Sequence, residues 1–199
     1  MALVRAENLT KIYGQGETAV VALDHVNLSA EAAEFVAVMG PSGCGKSTLL
    51  HLLGGLDRPS EGKVMLDGAS LTSLADNDLS ILRRRRIGFV FQFYNLIPVL
   101  SALENAALPL MLDGVSAAKA KEVATKWLTR VELGNRLQSR PDQLSGGQQQ
   151  RIAVARALVA EPVLVLADEP TGNLDTRSSR EVAGLLRQAA QEWGRTVVM

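Results

Sequence analysis

The hydrophobic pattern of the first third of the chain predicts short strands. Apolar residues form β-like runs over residues 4–8, 20–28, 35–39 and 63–66, and turns that contain glycine separate these runs. After the third run, apolar side chains recur at positions 49, 50, 52, 53 and 56, which is the spacing of a helical stripe. Gly54 and Gly55 predict the end of this helix. The pattern therefore predicts a strand, a glycine-rich loop and a helix in direct succession.

The middle of the chain is helical in pattern, and the last quarter combines helix and strand. Residues 101–133 carry apolar positions at helical spacing, and Ser101 stands three residues before Glu104, as in a capping box. A further helix is predicted from residue 145 to about residue 160, where Pro162 stops it. Residues 163–166 are a continuous apolar run, typical of a strand buried on both faces of a parallel sheet, and a helix over 179–193 and a strand from 196 follow. We expect an α/β core with an N-terminal antiparallel β-subdomain and an inserted α-helical subdomain.

Composition and charge narrow the class of protein. The 199 residues include 21 Lys and Arg and 21 Asp and Glu, and a formal net charge of zero argues against a dedicated nucleic-acid-binding protein. A single cysteine excludes a disulfide scaffold and a zinc site built from cysteines. No apolar run reaches the roughly 18 residues that a membrane-spanning helix needs, and Glu7 stands too near the start for a signal peptide. We expect a soluble protein of the cytosol.

The loop after the third strand has the spacing of a phosphate-binding loop, G-x-x-x-x-G-K-[ST]. Its glycines let backbone N–H groups approach phosphate oxygens, and the start of the following helix adds a partial positive charge. Lys46 would reach the β- and γ-phosphates of a nucleotide, and Ser47 would ligate Mg²⁺. Cys44 could serve as a nucleophile, but we interpret it as a small residue at a permissive position. The predicted binding residues are Gly40, Pro41, Ser42, Gly43, Cys44, Gly45, Lys46, Ser47 and Thr48.

A second group of candidate residues follows the apolar run at 163–166. Asp168 and Glu169 stand at the end of this predicted strand, where α/β sheets bind their ligands. Asp168 would hold Mg²⁺, and Glu169 would accept a proton from an attacking water molecule. Two acids at a strand end are a weak signal alone, and the phosphate loop strengthens it.

The block between these two sites carries a third motif. Lys46 and Asp168 lie 122 positions apart (168 − 46), and Leu144-Ser145-Gly146-Gly147-Gln148 stands late in the intervening block. On this signature and the two earlier motifs, the chain resembles the ATP-binding-cassette (ABC) ATPases over nearly its whole length.

The resemblance assigns roles to three more residues. Tyr13 resembles the aromatic residue that stacks on adenine. Gln92 resembles the glutamine that contacts the nucleotide and the metal and joins the core to the helical subdomain. Asp175, in Asn173-Leu174-Asp175, resembles a loop residue that crosses to a partner subunit.

The resemblance also implies a head-to-tail dimer with two ATP molecules at its interface. The signature residues Ser145, Gly146, Gly147 and Gln148 would bind the ATP held by the other subunit, because a helix start is itself an anion site. One domain would cover residues 1–199, with 1–92 and 157–199 as nucleotide-binding core and 93–156 as helical signature subdomain. The implied catalytic residues are Glu169, Lys46 and Gln92, and the implied metal ligands are Ser47, Gln92 and Asp168.

Longer phrases resemble one bacterial branch of this family. Residues 54–59, 91–98 and 168–175 are similar to the lipoprotein-releasing and macrolide-export ATPases and to the related cell-division ATPase. The resemblance implies a peripheral subunit on the cytoplasmic face of the inner membrane. There it would use ATP and Mg²⁺ to drive separate transmembrane permease subunits that dock against residues 93–109, and it would bind no nucleic acid.

Three other functions are weighed against transport. The first is a mechanical or regulatory ATPase of cell division or envelope remodelling, which the sequence does not separate from a transporter subunit. The second is a DNA-repair cassette protein, against which the missing coiled coil and zinc cysteines argue. The third is a small-molecule kinase, against which the signature argues.

A few residues depart from the family pattern or lie outside it. Ala33 stands where the family often has glycine, so strain is expected if its turn needs a positive φ. The family's histidine after the last strand does not occur before Met199, so we expect an incomplete chain that binds ATP and hydrolyses it poorly; a degenerate subunit is the alternative. His25 and His51 are interpreted as structural, and the four arginines at 83–86 as a solvated loop.

Overall fold

A computed structural model describes residues 2–199, and within this range the strands form two four-stranded sheets. The antiparallel sheet consists of β1 (Val4–Tyr13), β2 (Val20–Ala30), β4 (Glu61–Leu66) and β5 (Ala69–Ser70), in the order β2-β1-β4-β5. The parallel sheet consists of β3 (Phe35–Val36), β6 (Ile87–Phe91), β7 (Leu164–Asp168) and β8 (Thr196–Val198), in the order β3-β8-β7-β6. Only β8 therefore separates β3 from β7.

The helices lie between and beside these sheets. They are α1 (Lys46–Leu53), α2 (Asp76–Arg86), α3 (Ala102–Leu112), α4 (Ala117–Arg130), α5 (Gly146–Leu158) and α6 (Thr176–Gln191). Helices α3, α4 and α5 pack against one another, and α5 also packs against β6 and α6. The capping box predicted at Ser101 and Glu104 is confirmed at the start of α3. Over residues 2–199, no helix combines the length and the hydrophobicity that crossing a membrane requires.

The burial pattern of β7 places this strand between two hydrophobic cores. Leu164 and Leu166 belong to the core shared with α1 and the antiparallel sheet, and Val165 and Ala167 belong to the core shared with the helical block. Because successive side chains of a strand point to opposite faces, a strand covered on both sides is continuously apolar. The predicted architecture is confirmed: an α/β core, an antiparallel N-terminal sheet and a helical block inserted between β6 and β7.

Several element boundaries differ from the predicted ones. The strand expected at 35–39 is regular only over Phe35–Val36, although the N–H of Val38 still donates to the carbonyl of Met199 at 2.7 Å. The strand expected at 4–8 extends to Tyr13, because its pairing with β2 continues through register shifts beyond Ala6. The helical run at 101–133 is two helices, since the chain turns at Gly114, where φ is +86°.

The four arginines at 83–86 form the last turn of α2, so the predicted loop was wrong. Arginine is a good helix former, and positive charge is favourable at a helix C-terminus. The side chains also have partners. Arg83 donates to the carbonyl of Gly55 at 2.7 Å, Arg84 and Arg85 donate to Asp113 at 2.9 Å, and Arg86 pairs with Asp67.

The turn before β3 contains Ala33, which stands where the family often has glycine. Ala33 has a φ of +60°, in the left-handed region that alanine rarely adopts. Its backbone N–H donates to Oγ1 of Thr196 at 3.0 Å, which ties the turn to the start of β8. The turn does need a positive φ, so the condition under which strain was expected is met, and a hydrogen bond helps to hold this conformation.

Candidate functional site

The predicted phosphate loop connects β3 to α1 and depends on glycine at its last turn. Gly45 caps α1 with a φ of +91°, and a Cβ atom there would lie 2.4 Å from the carbonyl oxygen of Ala22. No other residue fits this position without moving β2. The loop is mostly exposed, and the N-terminal N–H groups of α1 lie at its end, so it is shaped to receive an anion.

The side chain of Lys46 folds back over the loop and donates hydrogen bonds to it. Its Nζ atom donates to the carbonyl oxygens of Gly40 at 2.9 Å and of Pro41 at 2.8 Å, and it lies 3.9 Å from the sulfur of Cys44. The ammonium group is thus held over the loop in which a phosphate would sit. Lysine has three donors, so it can bind a phosphate oxygen while keeping contacts to the loop.

Two of the three predicted magnesium ligands, 121 positions apart, meet directly. Oγ of Ser47, in the first turn of α1, donates to Oδ1 of Asp168, at the end of β7, at 2.8 Å. The contact joins the helix that follows β3 to the end of β7, although β8 lies between these two strands in the sheet. The fold therefore brings together a hydroxyl and a carboxylate oxygen, which are ligands of the kind that Mg²⁺ prefers.

Glu169 lines the same cavity as the phosphate loop. The cavity has a volume of about 230 Å³ and is lined by Val20, Val21, Ala22, Gly43, Gly45, Lys46, Ser47, Thr48 and Glu169. Glu169 has a φ of +45°, in the left-handed region that few residues other than glycine adopt. Strained backbone of this kind occurs at functional sites, where the surrounding structure enforces it.

Gln92 follows the neighbouring strand β6 and is held by the loop after Glu169. Its Nε2 atom donates to Oδ1 of Asn173 at 3.2 Å, and Nδ2 of Asn173 donates back to the carbonyl of Gln92 at 3.5 Å. Because Phe91 and Asp168 are register partners, Gln92 and Glu169 each come one residue after a paired strand end. The structure thus places Gln92 beside the predicted carboxylate site.

Tyr13 lies at the edge of this site. It pairs with Val20, which lines the cavity, and its hydroxyl donates to Oδ2 of Asp57 at 3.0 Å. The ammonium of Lys11 lies 4.9 Å from the ring centre and 2.7 Å from Asp57. Partial burial acts to raise the pKa of Asp57, but hydrogen bonds from Lys11, the Arg58 backbone and Tyr13 together hold that pKa below its usual value. Asp57 is therefore an ionised anchor that fixes the tyrosine ring.

The signature segment lies outside this cavity and begins α5. Ser145 accepts a hydrogen bond from the N–H of Gln148 at 3.3 Å, and Oε1 of Gln148 accepts from the N–H of Ser145 at 3.0 Å, which is a capping box. A Cβ on Gly147 would lie 2.5 Å from Oγ of Ser178, so glycine is needed for close packing against α6. Ser145 itself is exposed. The N-cap residue of this helix is therefore accessible from solvent.

Asp175 has a role within this chain. It caps α6 and accepts hydrogen bonds from the N–H groups of Arg177 at 2.9 Å and Ser178 at 3.0 Å and from the Ser178 hydroxyl at 2.7 Å. The backbone hydrogen bond from Ser178 is the main reason why the pKa of Asp175 is below its usual value. Its expected role toward a partner subunit remains a prediction.

The sequence did not identify three polar residues in and around the site. Gln150 is fully buried on α5 and donates to the carbonyl of Phe91, at the end of β6, and to that of Pro170, two residues after β7. Arg156, one and a half turns further, donates to the carbonyls of Tyr94 at 2.7 Å and Asn95 at 2.5 Å, and burial lowers its pKa. His51, interpreted as structural, has Nε2 3.9 Å from Oδ2 of Asp168. A polar residue on the apolar stripe of α5 was the available signal for Gln150.

A separate groove lies between the core and the helical block. It has a volume of about 450 Å³, and its lining includes Leu56, Phe89, Phe91, Leu108, Pro109, Leu112 and Arg156. Beside it, Phe93 and Val99 are each more than two thirds exposed. The groove is thus an apolar surface next to the loop that carries Gln92.

Comparison with known proteins gives a consistent result. A family model described as "ABC transporter" matches residues 23–172. An uncharacterized ABC transporter ATP-binding protein of Thermotoga maritima is 53% identical over 189 residues, which is 95% of this chain and 80% of the relative. The macrolide export ATP-binding/permease protein MacB of Brucella abortus is 48% identical over 197 residues, which is 99% of this chain but 30% of the relative.

The structural comparison agrees with the sequence comparison. The solved dimer of the ATP-binding cassette MJ0796, described as a post-hydrolysis state bound to ADP and Pi, superposes with a TM-score of 0.89 at 46% identity. The match covers 98% of this chain and 86% of the solved chain. The similarity at 46% identity extends over 201 residues of the corresponding Methanocaldococcus jannaschii sequence.

Proposed function

This chain belongs to the ABC transporter family, and we propose that it is the ATP-binding and ATP-hydrolysing subunit that powers a separate permease of the inner membrane. The observation that carries the proposal is the contact between Ser47 and Asp168 at 2.8 Å, with Glu169 on the wall of the adjoining cavity. A loop for phosphate, a pair of oxygen ligands and a carboxylate base are the parts that ATP hydrolysis requires.

The chain's own residues divide the work on ATP. The residues Gly40, Pro41, Ser42, Gly43, Cys44, Gly45, Lys46, Ser47 and Thr48 would bind the phosphates through backbone N–H groups and the lysine. Tyr13 would stack on the adenine, with its ring fixed by Asp57. Glu169 would orient the attacking water molecule and accept its proton.

Magnesium fits the oxygen atoms that this site offers. The hydroxyl of Ser47 and the carboxylate of Asp168 would hold it, with Gln92 as a third oxygen ligand. Within residues 2–199, no group of three or more His, Cys, Asp or Glu side chains could hold a metal ion, so we expect Mg²⁺ to bind together with the nucleotide. When bound, Mg²⁺ would neutralise charge on the β- and γ-phosphates.

The position of the signature supports a site completed by a second subunit. Ser145 is exposed and Gly146 half-buried at the helix start, and neither residue lines the cavity of the same chain. A head-to-tail dimer would place this end of each subunit, including Gly147 and Gln148, against the ATP of the other. The MJ0796 relative, solved as a dimer with ADP and Pi, is consistent with this arrangement.

The apolar groove supports the permease part of the proposal. A short helix presented by a membrane subunit would bury its apolar side chains against Leu56, Leu112 and Phe93. In the MacB relative one chain is named for both the ATP-binding and the permease function, and this chain matches 30% of it. We therefore place the protein at the cytoplasmic face of the membrane, with residues 1–92 and 157–199 as the nucleotide-binding core and 93–156 as the helical subdomain.

The substitution Glu169→Gln tests the proposal. It removes the proposed base and retains the shape of the side chain, so ATP should still bind while ADP formation falls about 10²- to 10⁴-fold. Dimers should then accumulate in ATP, because the hydrolysis that would separate them is blocked. Light scattering after gel filtration measures the dimer, and Glu192→Gln, at the exposed end of α6, is the matched control. A variant that binds ATP and hydrolyses it at the parent rate would refute the proposal.

A further inference from the structure

The amide of Gln150 occupies an unusual place in the fold. Gln150 lies one turn after the start of α5, and its side chain is among the large side chains that solvent does not reach. Its Nε2 atom donates to the carbonyl oxygens of Phe91 at 3.1 Å and of Pro170 at 2.7 Å. Both hydrogens of one amide group are therefore used on two separate chain segments.

The first segment is the end of β6, and the second is the turn that follows β7. Phe91 is the last residue of β6 and is paired in register with Asp168, the last residue of β7. Beyond this pair the strand ladder stops, and the chain continues into Gln92 on one side and into Glu169 and Pro170 on the other. Gln150 thus links the end of β6 to the turn after β7, just beyond the point where the hydrogen bonds between the two strands end.

The orientation of this amide leaves one atom without a partner. Oε1 of Gln150 is buried and accepts no hydrogen bond among the residues that the structure describes. The opposite orientation would turn Oε1 toward two carbonyl oxygens, so the two acceptors fix the orientation. An unpaired buried oxygen is unfavourable for stability, and the side chain keeps it while both of its donor hydrogens bind backbone carbonyls. The arrangement therefore points to a role for these two donated hydrogen bonds.

We propose that Gln150 is a positioning residue for ATP hydrolysis, which sets the spacing between Gln92 and Glu169 and joins both to the signature helix. A movement of α5 would then displace the ends of β6 and β7 together. This inference rests on the proposed roles of Glu169 and Gln92. Gln150 itself contacts only backbone carbonyls through its donors, so it acts through the adjacent residues, Gln92 after Phe91 and Glu169 before Pro170.

The substitution Gln150→Met tests this role, because methionine has a similar volume and no donor. We expect the KM for ATP to stay within about twofold of the parent value, since the phosphate loop is untouched, and kcat to fall at least about tenfold through misplacement of the reacting groups. Amide hydrogen exchange over residues 91–95 and 169–173 should become faster, as the link between the strand ends is lost.

Ile152→Ala is the matched control for a general loss of packing. Ile152 lies on the same helix, is fully buried and belongs to the helical core. It should lower the melting temperature at least as much as Gln150→Met, with kcat and the exchange of 169–173 near the parent values. An equal loss of kcat in both variants, or parent-like kcat and exchange in Gln150→Met, would overturn the assignment.

The proposed function can fail separately from this inference. If Glu169→Gln hydrolyses ATP at the parent rate, the assignment of the base is wrong. Faster exchange at 91–95 and 169–173 in Gln150→Met would still demonstrate the link between the strand ends. Unchanged exchange there, with Glu169→Gln inactive, would refute the inference and leave the proposed function intact.

Discussion

The phosphate loop and the signature segment are both glycine-rich helix starts, but the chain treats them differently. At the phosphate loop, partners from distant parts of the chain converge: Ser47 meets Asp168, and Glu169 lines the same cavity. At the signature, Ser145 and Gln148 satisfy only each other in a capping box. The residues of the first region thus meet through the folding of one chain, and the second region is a formed helix start whose hydrogen bonds are local.

This difference predicts what a single chain can do without a partner. The residues that we propose act on the nucleotide from the phosphate-loop side already lie together, so a single chain should bind ATP. The signature residues Ser145, Gly146, Gly147 and Gln148 do not line the cavity that the phosphate loop lines. Substitutions in the first region should therefore weaken binding to one chain, and substitutions in the second should weaken only association of two chains.

The largest effect is expected from Lys46→Met. It removes the ammonium that lies over the loop and donates to Gly40 and Pro41. Hydrogen bonds to charged groups contribute about 1.5–3 kcal/mol, so ATP binding to the single chain should weaken about 10- to 100-fold. Titration with a fluorescent ATP analogue measures the affinity. Lys119 pairs with Glu122 on the surface of α4, so Lys119→Met is the control. Unchanged affinity would mean that the loop does not bind phosphate.

A smaller and more selective effect is expected from Ser145→Ala. Loss of the cap should destabilise the start of α5 by about 1 kcal/mol, and the hydroxyl would no longer be available to the ATP of a second subunit. ATP affinity of the single chain should stay within about twofold, while the ATP-dependent dimer should weaken about tenfold or more. Ser101→Ala, which removes the same kind of cap from α3, is the control for helix stability.

Comparing the single-chain ATP affinity of Ser145→Ala with that of Lys46→Met tests the division between the two regions. If single-chain affinity falls as far as it does in Lys46→Met, then the signature contacts the nucleotide of its own chain. That result would contradict the division between the two regions. Gel filtration with light scattering at several ATP concentrations distinguishes the two cases.

The sequence predicted the fold well where pattern and chemistry coincide. The run at 163–166 predicts a strand buried on both sides because both of its faces must be apolar, and β7 has this burial. The phosphate loop was readable because glycine, lysine and serine at fixed spacing leave few other conformations. The contact between Ser47 and Asp168 follows from that spacing together with the strand order.

Other features could not be predicted, because they depend on tertiary contacts. The arginines at 83–86 looked like a loop since nothing in the sequence shows that Asp113, in the turn after α3, pairs with two of them. The same holds for Gln150, whose acceptors are backbone carbonyls 59 and 20 positions away. Backbone carbonyls carry no sequence signal, so only the folded chain reveals such partners.

The smallest effect is expected at Asp175, which caps α6, the helix that packs against Gly147 of the signature. Its carboxylate accepts the N–H groups at the start of α6, mainly that of Ser178, and this lowers its pKa below the usual value. A carboxyl group with a lowered pKa in the folded state contributes stability above the pKa of the unfolded state, about 4, and this contribution is lost as pH falls through the folded-state value. Asp175→Ala should therefore be less stable than the parent at pH 7, with a difference that shrinks below about pH 4.

Urea unfolding at pH 7 and at successively lower pH measures that difference. Asp142→Ala, in the exposed turn before the signature, is the matched control and should differ little from the parent at any of these pH values. Since Ser178 also packs against Gly147, Asp175→Ala should in addition weaken the ATP-dependent dimer slightly, by less than Ser145→Ala does. A difference in stability that stays constant down to pH 2 would contradict the cap, because a protonated carboxyl group accepts these N–H groups only weakly.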